Sequence, residues 1–370
     1  MQVQELKGDK VINMKEFSEK IWQENEYNYA AAYGFIPSIH SYIHDEASDE
    51  NRDCMLIVPG GGYCMCVSHE GELVAKVFYE QGMNVFVLSY TTDITMSVPL
   101  KKQPLEDISR AVRFIRKRAG EYHIKDKKLI VCGFSAGAHV CGSLAVHYDD
   151  VEDKSSEYKD ISNRPDGAIL AYPVITCGEK THIYSVQTLL GYEPTEEELN
   201  YFSLEKNVTE DTPPCFLWQT ATDDLVPVEN SYMMAKALKE KGVMFAHYVF
   251  PSGFHGLSYP NDEFFQGLAG GQYTFEQLEK AIKAVKAGKG VNVSDKRRKE
   301  LEEQFPDIKP DEDLTGEAQP VEEAQPQEAE AAKQDESEER PQGLPPIDKT
   351  WIEDIGLWPE LARVWMNRIA

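Results

Sequence analysis

The chain has 370 residues, of which 41% are apolar, and a formal net charge of −25. It is long enough to bury one large hydrophobic core, and α/β proteins of this length often form a single domain. Because phosphates bind where Lys and Arg accumulate, the charge argues against nucleic acid or an anionic membrane surface as a partner. No apolar run approaches the length of a signal peptide or a membrane span, so we expect a cytoplasmic protein with no membrane association.

An N-terminal helical extension over residues 1–34 is expected to precede the main domain, which spans residues 35–290. Short apolar runs in that domain predict β-strands, several of them too apolar for one face to meet water. These runs are residues 54–58, 83–90, 128–134, 167–174, 215–220 and 244–250. Amphipathic patterns that end at glycine predict helices at residues 69–82, 104–120 and 230–242. This alternation predicts an α/β fold with a mostly parallel central sheet and helices on both faces.

Three consecutive glycines, Gly60, Gly61 and Gly62, follow the first predicted strand. Their N–H groups can face a phosphate, a developing oxyanion or only a tight turn, because glycine lets the backbone approach a ligand closely. The phosphate interpretation is disfavoured, since no Lys-Ser or Lys-Thr follows as in a P-loop. The G-x-G-x-x-G spacing of a dinucleotide turn is also missing. An oxyanion site or a simple turn remains open.

The clearest chemical motif is Gly133-x-Ser135-x-Gly137, which follows a predicted strand directly and precedes a helical pattern of small residues. A nucleophile elbow requires this strand–turn–helix context. Its serine sits in strained backbone, and side chains at the flanking glycines would clash with neighbouring elements. The motif therefore predicts that Ser135 is a nucleophile.

A serine nucleophile needs a base, and the chain has nine histidines. In the elbow architecture a carboxylate and then the histidine follow the serine, and only His247 and His255 come late enough in the chain. His247 lies inside the last predicted strand, whereas His255 lies on a glycine-flanked loop just past it, so His255 is the predicted base. Asp223 and Asp224 both follow the preceding strand, and the motif alone does not choose between them.

Several segments of the chain match one known pattern, and they are PGGGY, HEGELVAKVFYEQGMNVFVLSY, EDISRAVRFIR, GFSAGAH, TPPCFLWQTATDDLVPVENS and FPSGFHGLSYP. Together they resemble the α/β-hydrolase superfamily, in particular its esterase branch of acetylxylan and other acetyl esterases, which includes BD-FAE-like and dienelactone-hydrolase-like serine esterases. The resemblance covers about residues 35–260. It implies an α/β-hydrolase catalytic domain over residues 35–290 with a small cap at about residues 176–212.

The resemblance implies roles that the motifs alone leave open. Its D-x-x-V-P pattern assigns the triad aspartate to Asp223 and makes Asp224 a bystander. In many relatives His-Gly-Gly-Gly follows the corresponding strand, and its glycine N–H groups form an oxyanion hole with the N–H after the nucleophile. The implied donors here are Gly61, Gly62 and Ala136, while a proline stands in place of the histidine.

Other polar residues near these motifs have plainer interpretations. Tyr63 and Glu70 are candidate pocket residues, although capping of the helix that begins there is the favoured role of Glu70. His139, on the helix that follows the elbow, is expected to be packed rather than catalytic. Arg110 and Arg113 lie next to carboxylates on a helix and are expected to form ion pairs.

The seven cysteines are odd in number and lie mostly in apolar, strand-like runs, which is typical of reduced, buried thiols. Cys64 and Cys66 have the spacing of a metal-binding pair, but no second pair with zinc spacing accompanies them. The proposed hydrolytic chemistry also needs no metal. We therefore expect no metal and no cofactor.

The composition changes toward the C-terminus. Residues 307–345 contain thirteen Asp or Glu against three Lys or Arg, with repeated Pro, Gln and Ala, so they cannot build a core. We expect a charged, largely disordered insertion over residues 291–345, with a solvated linker favoured over an acidic partner-binding segment. Residues 346–370 are expected to form a C-terminal helix that packs back on the hydrolase domain, because large apolar residues recur along one face.

These assignments favour a serine carboxylesterase that hydrolyses small acyl esters, acetyl esters first, of carbohydrates or related alcohols. The expected chemistry is a Ser-His-Asp triad that forms an acyl-enzyme. A peptidase or amidase is one alternative, because the same triad cleaves amides, but no segment resembles the propeller domain of prolyl peptidases. A non-catalytic binding module on a hydrolase scaffold is disfavoured because every triad position is filled. The expected partner is a small-molecule ester, and the sequence sets no oligomeric state.

Overall fold

The structure is a computed structural model that describes residues 14–44, 50–267, 270–311 and 353–369. Eight strands form one sheet within these ranges. The strands are β1 (Met14–Lys20), β2 (Ser38–His44), β3 (Cys54–Val58), β4 (Asn84–Ser89), β5 (Leu129–Phe134), β6 (Gly167–Ala171), β7 (Cys215–Thr220) and β8 (Phe245–Phe250). The strands from β3 to β8 correspond to the apolar runs in the sequence, so those predictions are confirmed.

The sheet has the strand order β1-β2-β4-β3-β5-β6-β7-β8. The strands from β3 to β8 run parallel to one another, while β2 pairs antiparallel with both β1 and β4. The predicted mostly parallel sheet is therefore confirmed. Parallel strands end at the same edge of a sheet, so the loops after β3, β5, β7 and β8 meet there.

The described residues also form ten α-helices. They are α1 (Glu72–Glu80), α2 (Gln103–Lys117), α3 (Ala136–His147), α4 (Ile183–Leu190), α5 (Glu196–Tyr201), α6 (Glu229–Glu240), α7 (Asp262–Phe265), α8 (Glu276–Lys286), α9 (Asp295–Gln304) and α10 (Trp358–Met366). None of the helices in the described ranges combines the length and the apolarity needed to cross a bilayer.

Two hydrophobic clusters cover the two faces of the sheet. Because side chains alternate along a strand, Leu56 of β3 packs in one cluster and Ile57 in the other. Buried residues of α2, α3 and α6 belong to the first cluster, and those of α1 and α10 belong to the second. The predicted helical layers on both faces are therefore present. All six residues of β5, which ends at the nucleophile motif, are buried.

The N-terminal region differs from the prediction. A helical extension is expected over residues 1–34, but Met14–Lys20 form strand β1, and no helix occurs in residues 14–34. Residues 1–13 lie outside the described residues. Strand β1 pairs along its full length with β2, from Met14 opposite His44 to Lys20 opposite Ser38. This pairing provides partners for backbone groups on the outer edge of β2, and such tertiary pairing overrides local preference.

The segment after α8 also corrects one expectation. Part of the predicted disordered insertion, Asp295–Gln304, is helix α9. The Ser294 side chain accepts the N–H of Arg297 at its N-terminus, and Leu301 is fully buried in a cluster with residues of α8. Residues 291–311 of the expected insertion are described, and residues 312–345 lie outside the described residues.

Helix α10 packs on the same face of the sheet as α1. Trp358 is fully buried, and its ring centroid lies 5.5 Å from that of Trp218 on β7. Trp365 is 5% exposed and lies in the same cluster. The residues before this region, 346–352, lie outside the described residues. The last helix thus contributes two tryptophans to the core of the domain.

Candidate active site

Ser135 occupies the tight turn between β5 and α3. Its backbone has a φ of 52° and a ψ of −118°, a strained conformation for a residue that has a side chain. A Cβ added to Gly133 would lie 2.3 Å from the Gly137 carbonyl oxygen, and one added to Gly137 would lie 2.1 Å from the Val58 carbonyl oxygen. Only glycine fits at these positions, so the packing of α3 against β3 and β5 requires the spacing of the motif.

The side chains of Ser135, His255 and Asp223 meet at the carboxyl edge of the sheet. Ser135 Oγ lies 2.8 Å from His255 Nε2, and His255 Nδ1 lies 2.9 Å from Asp223 Oδ2. The Asp223 side chain is only 1% exposed. The imidazole therefore bridges a hydroxyl and a buried carboxylate. In this arrangement a histidine can accept the serine proton while the carboxylate fixes its tautomer.

The two adjacent aspartates have different partners. Asp223 Oδ1 also accepts the N–H groups of Leu225 and Val226, at 3.0 and 2.9 Å. Asp224 is exposed, and its Oδ1 accepts the backbone N–H of His255 at 2.9 Å. Asp223 therefore contacts the His255 imidazole, as expected, while the exposed Asp224 contacts the backbone of the same residue, a contact that its expected place as a solvent-facing neighbour did not include.

The pKa of His255 is raised above its ordinary value of 6.5. Burial is the largest single cause and lowers it, but the hydrogen bond and the negative charge of Asp223, together with the charges of Glu70 and Asp224, outweigh burial. The negative groups around the imidazole thus favour the imidazolium ion. That is the state His255 would reach after accepting a proton from Ser135.

A cleft of about 310 Å³ opens beside Ser135 and His255. Gly61 and Gly62 line it, with φ values of 123° and 62° that favour glycine. Neither glycine N–H has a hydrogen-bond partner among the described residues. Ala136 is the first residue of α3, where N–H groups lack acceptors within the helix. The three predicted donors therefore lie next to the nucleophile with N–H groups that can bind an anion.

Glu70 lies at the inner end of this cleft and is only 3% exposed. Its Oε2 accepts the N–H of Gly60 at 2.6 Å, and its Oε1 accepts the hydroxyl of Tyr172 at 2.7 Å. The favoured capping role is wrong, because no side chain caps the N-terminus of α1, where Gly71 is the N-cap residue. Glu70 instead contacts the glycine loop itself. Its Tyr172 partner is not apparent from the sequence.

Tyr63 does not line the cleft in the structure, which corrects its assignment as a candidate pocket residue. Its side chain is buried beneath the glycine loop, and its hydroxyl lies 2.6 Å from Nδ1 of His139. The other ring nitrogen of His139, Nε2, lies 2.8 Å from the carbonyl oxygen of Phe202. Burial lowers the pKa of His139 to about 4, so the ring is neutral. The expected packing role of His139 is confirmed.

The segment between β6 and β7 contributes two cleft residues that the sequence did not single out, His182 and Tyr184. His182 Nδ1 lies 2.8 Å from the hydroxyl of Ser185. Burial and, to a smaller extent, the nearby His255 together lower the pKa of His182 to about 4, so the ring is neutral. Chain order excluded His182 from the triad because it precedes Asp223. The sequence feature that could have marked His182 as a cleft residue is its position in the predicted cap.

Two further sequence expectations can be compared with the contacts. Arg110 forms the expected ion pairs, with Asp153 at 2.5 Å and Glu26 at 3.0 Å. Arg113 instead donates to backbone carbonyl oxygens, including that of Val151 at 2.9 Å. All seven cysteines are free and six of them are buried, as expected for reduced thiols.

With this geometry established, comparisons with known proteins identify the relatives of the chain. The BD-FAE family model matches residues 42–238. Endo-1,4-beta-xylanase B of Butyrivibrio fibrisolvens is 67% identical over 280 residues, which are 76% of this chain and 44% of that protein. Acetylxylan esterase of Xylanibacter ruminicola is 30% identical over 211 residues, which are 55% of this chain and 40% of that protein. The chain thus spans less than half the length of these two relatives.

The fold of this chain can be compared with that of a solved hydrolase structure. The acetyl ester-xyloside bifunctional hydrolase of Caldicellulosiruptor lactoaceticus superimposes with a TM-score of 0.62 and 32% identity, over 74% of this chain and 97% of that chain. Its match extends over nearly all of that protein. The α/β-hydrolase fold predicted from the sequence is therefore confirmed.

Proposed function

The chain belongs to the BD-FAE family, and we propose that it is a serine carboxylesterase that removes small acyl groups, acetyl first, from carbohydrate esters. The observation that carries this proposal is the continuous contact from Asp223 through His255 to Ser135, 2.9 and 2.8 Å long, beside a cleft lined by glycine N–H donors. The nature of the acyl group is supported by the relatives, two of which are named for acetyl ester hydrolysis.

In the proposed reaction, Ser135 Oγ attacks the ester carbonyl carbon while His255 Nε2 accepts the hydroxyl proton. Asp223 stabilises the imidazolium ion that forms. The N–H groups of Gly61, Gly62 and Ala136 bind the negative oxygen of the tetrahedral intermediate. The intermediate collapses, the alcohol leaves with the proton from His255, and the acyl group remains on Ser135.

Water completes the cycle. His255 accepts a proton from the water molecule as its oxygen attacks the acyl-enzyme carbonyl, and the same N–H groups bind the second tetrahedral intermediate. Its collapse releases the carboxylic acid and returns the proton to Ser135 Oγ. The step uses water together with side chains and backbone N–H groups of the chain itself.

Two of these proteins are named for xylanase or xyloside hydrolase activity, which raises glycoside hydrolysis as a second candidate. Glycosidases of the usual kind place two carboxyl groups on either side of the scissile bond. Glu70 is the single carboxylate among the residues that line the cleft of Ser135, and both of its oxygens are engaged by Gly60 and Tyr172. The cleft therefore supports ester hydrolysis rather than glycoside hydrolysis.

An activity panel tests the proposal and its alternatives. We expect hydrolysis of p-nitrophenyl acetate and release of acetate from acetylated xylo-oligosaccharides, with little activity on p-nitrophenyl octanoate, aminoacyl anilides or p-nitrophenyl xyloside. Anilide cleavage above ester cleavage would favour a peptidase or amidase, and xyloside cleavage would favour a glycosidase. Binding of acetylated oligosaccharides without any turnover would indicate a non-catalytic module.

A further inference from the structure

A buried chain of hydrogen bonds joins the glycine loop to the loop that carries His255. It begins at the Gly60 N–H, which donates to Glu70 Oε2 at 2.6 Å. The Tyr172 hydroxyl donates to Glu70 Oε1 at 2.7 Å, and the same hydroxyl oxygen accepts the Ser258 N–H at 3.1 Å. Glu70, Tyr172 and Ser258 are 3%, 2% and 0% exposed. Water therefore cannot substitute for these contacts without rearrangement of the loops.

The position of Gly60 makes the first contact consequential. Gly60 immediately precedes Gly61 and Gly62, so a fixed Gly60 peptide restricts the direction of the N–H groups that follow. The loop also has little room to move at this residue, because a Cβ added to Gly60 would lie 2.6 Å from the Phe134 carbonyl oxygen. The side chain of Pro59 cannot form a hydrogen bond that would anchor the glycine loop. The Glu70 carboxylate supplies such a hydrogen bond instead.

The other end of this series of hydrogen bonds lies in the loop of the proposed base, His255. Ser258 lies three residues after His255, and the Tyr172 ring centroid lies 4.9 Å from that of His255 in an edge-on arrangement. One carboxylate thus contacts the glycine loop directly and the His255 loop through one hydroxyl. The proposed oxyanion glycines and the proposed base therefore both depend on the Glu70 carboxylate.

We propose that Glu70 is a positioning residue, which holds the oxyanion glycines and the His255 loop in a single geometry through Gly60 and Tyr172. This inference rests on the proposed function, because it assigns a role to the oxyanion donors. It predicts that loss of the carboxylate slows turnover more than it weakens substrate binding, since the groups that bind the transition state would be displaced.

The charge of Glu70 provides a readout that a purely structural residue would not change. The charged and titratable groups around the His255 imidazole are Asp223, Asp224, Glu70, His69, the neutral His182 and the Tyr172 hydroxyl. Glu70 is the negative group that can be removed while the contacts of Asp223 and Asp224 with His255 stay in place. Its loss is expected to lower the pKa of His255 and to move the acidic limb of the kcat/KM profile to lower pH.

The test compares the wild type with Glu70→Gln and Tyr172→Phe. For Glu70→Gln we expect kcat on p-nitrophenyl acetate to fall about 10- to 100-fold with little change in KM, which is somewhat less than the loss of an oxyanion donor. The acidic limb should move to lower pH. Tyr172→Phe keeps the charge and the aromatic ring, so kcat should fall while the limb stays in place. Circular dichroism and melting curves establish that each variant is folded.

Glu72→Gln is the matched control. Glu72 lies two residues away in the first turn of α1, and its carboxylate is paired with Lys76 at 2.9 Å. This substitution removes the same charge from the same region without touching the glycine loop. Its kcat and its pH profile should equal those of the wild type.

The proposal requires that Glu70→Gln both lowers kcat and moves the acidic limb of the kcat/KM profile to lower pH. A fall in kcat with an unmoved limb would overturn the proposal, because a structural role alone predicts it, and a moved limb with unchanged kcat would overturn it because positioning would be absent. If Glu70→Gln does not fold, Tyr172→Phe decides: a lower kcat at unchanged KM supports the proposal, and wild-type kcat overturns it.

An NMR titration of His255 separates failure of this inference from failure of the proposed function. The measurement needs no turnover and follows the imidazole in the wild type and in Glu70→Gln. A lower pKa in the variant supports the coupling even in a protein without esterase activity, and equal pKa values overturn it. Absence of esterase activity in the wild type would contradict only the proposed function.

Discussion

Ser135 and His255 touch each other, yet the molecule holds them in different ways. Ser135 follows the fully buried strand β5, and its turn is enforced by backbone packing at Gly133 and Gly137. His255 follows β8, an edge strand whose residues are partly or largely exposed. Its loop is held by side chains from other parts of the chain. The proposed nucleophile is thus positioned by the core and the proposed base by hydrogen bonds.

Three distant side chains hold the His255 loop. Nε2 of His69 lies 3.0 Å from the Gly256 carbonyl oxygen, the Tyr172 hydroxyl accepts the Ser258 N–H, and the indole N–H of Trp358 donates to the Ser258 carbonyl oxygen at 2.8 Å. Substitutions at these residues should therefore reduce activity through His255 while Ser135 keeps its place.

The largest expected effect on the base comes from its carboxylate. Asp223→Asn should lower kcat/KM about 10⁴-fold, because an amide cannot favour the correct tautomer or stabilise the imidazolium ion. Asp224→Asn is the matched control, since its amide oxygen can still accept the His255 N–H, and it should lose far less. Steady-state kinetics on p-nitrophenyl acetate measure both. Equal losses would show that the two aspartates do not have separate roles.

The next largest effect concerns α10. Trp358→Phe leaves the buried Ser258 carbonyl oxygen without its donor, which costs about 1–3 kcal/mol of unfolding free energy, and it should also lower kcat. Trp365→Phe makes the same change of side chain in the same helix, but the Trp365 indole N–H has no partner among the described residues. Urea unfolding and kinetics should show a larger loss for Trp358→Phe. Equal losses in both would mean that only packing matters.

Features of the fold that arise from short stretches of sequence could be predicted, whereas features that depend on pairing with distant residues could not. The apolar strands and the glycine-flanked serine follow from short sequence patterns, because burial on both faces and a tight turn each impose a local composition. Strand β1 could not be predicted that way, since its residues are mostly exposed and only pairing with β2 makes it a strand. Helix α9 was missed because Leu301 is its single buried residue.

The same distinction applies to the candidate site. A motif marks Ser135, chain order marks His255 and the D-x-x-V-P pattern of the family resemblance marks Asp223, whereas the contacts that hold the His255 loop join residues up to 187 positions apart. Glu70 was expected to cap a helix because it lies at a helix start in the sequence. Its partner Tyr172 is 102 positions away, and no local pattern connects the two.

The pH dependence should reflect the negative groups around the base. The proposed mechanism requires neutral His255, and the pKa of His255 is raised above 6.5, so kcat/KM should be high at alkaline pH and fall as the pH drops through a value above 6.5. A profile of kcat/KM on p-nitrophenyl acetate locates this limb. A limb below 6.5 would contradict the net effect of Asp223, Glu70 and Asp224.

The smallest expected effect concerns substrate choice in the cleft. Tyr184 lines the cleft and is 40% exposed, so its ring can cover one face of a sugar. Tyr184→Ala should weaken kcat/KM on acetylated xylo-oligosaccharides about fivefold, which corresponds to burial of roughly 40–50 Å² of apolar surface. Activity on p-nitrophenyl acetate should change little. Tyr192→Ala, in the same segment but away from the cleft and 53% exposed, is the control.

The identity of the nucleophile is tested most directly by Ser135→Ala, with kcat/KM on p-nitrophenyl acetate measured beside the wild type. The proposed triad predicts a fall of about 10⁶-fold with an unchanged circular dichroism spectrum. The glycine packing around the turn does not involve Ser135 Oγ, so the fold should survive the substitution. Substantial activity in the folded variant would contradict the assignment of Ser135 and the esterase mechanism built on it.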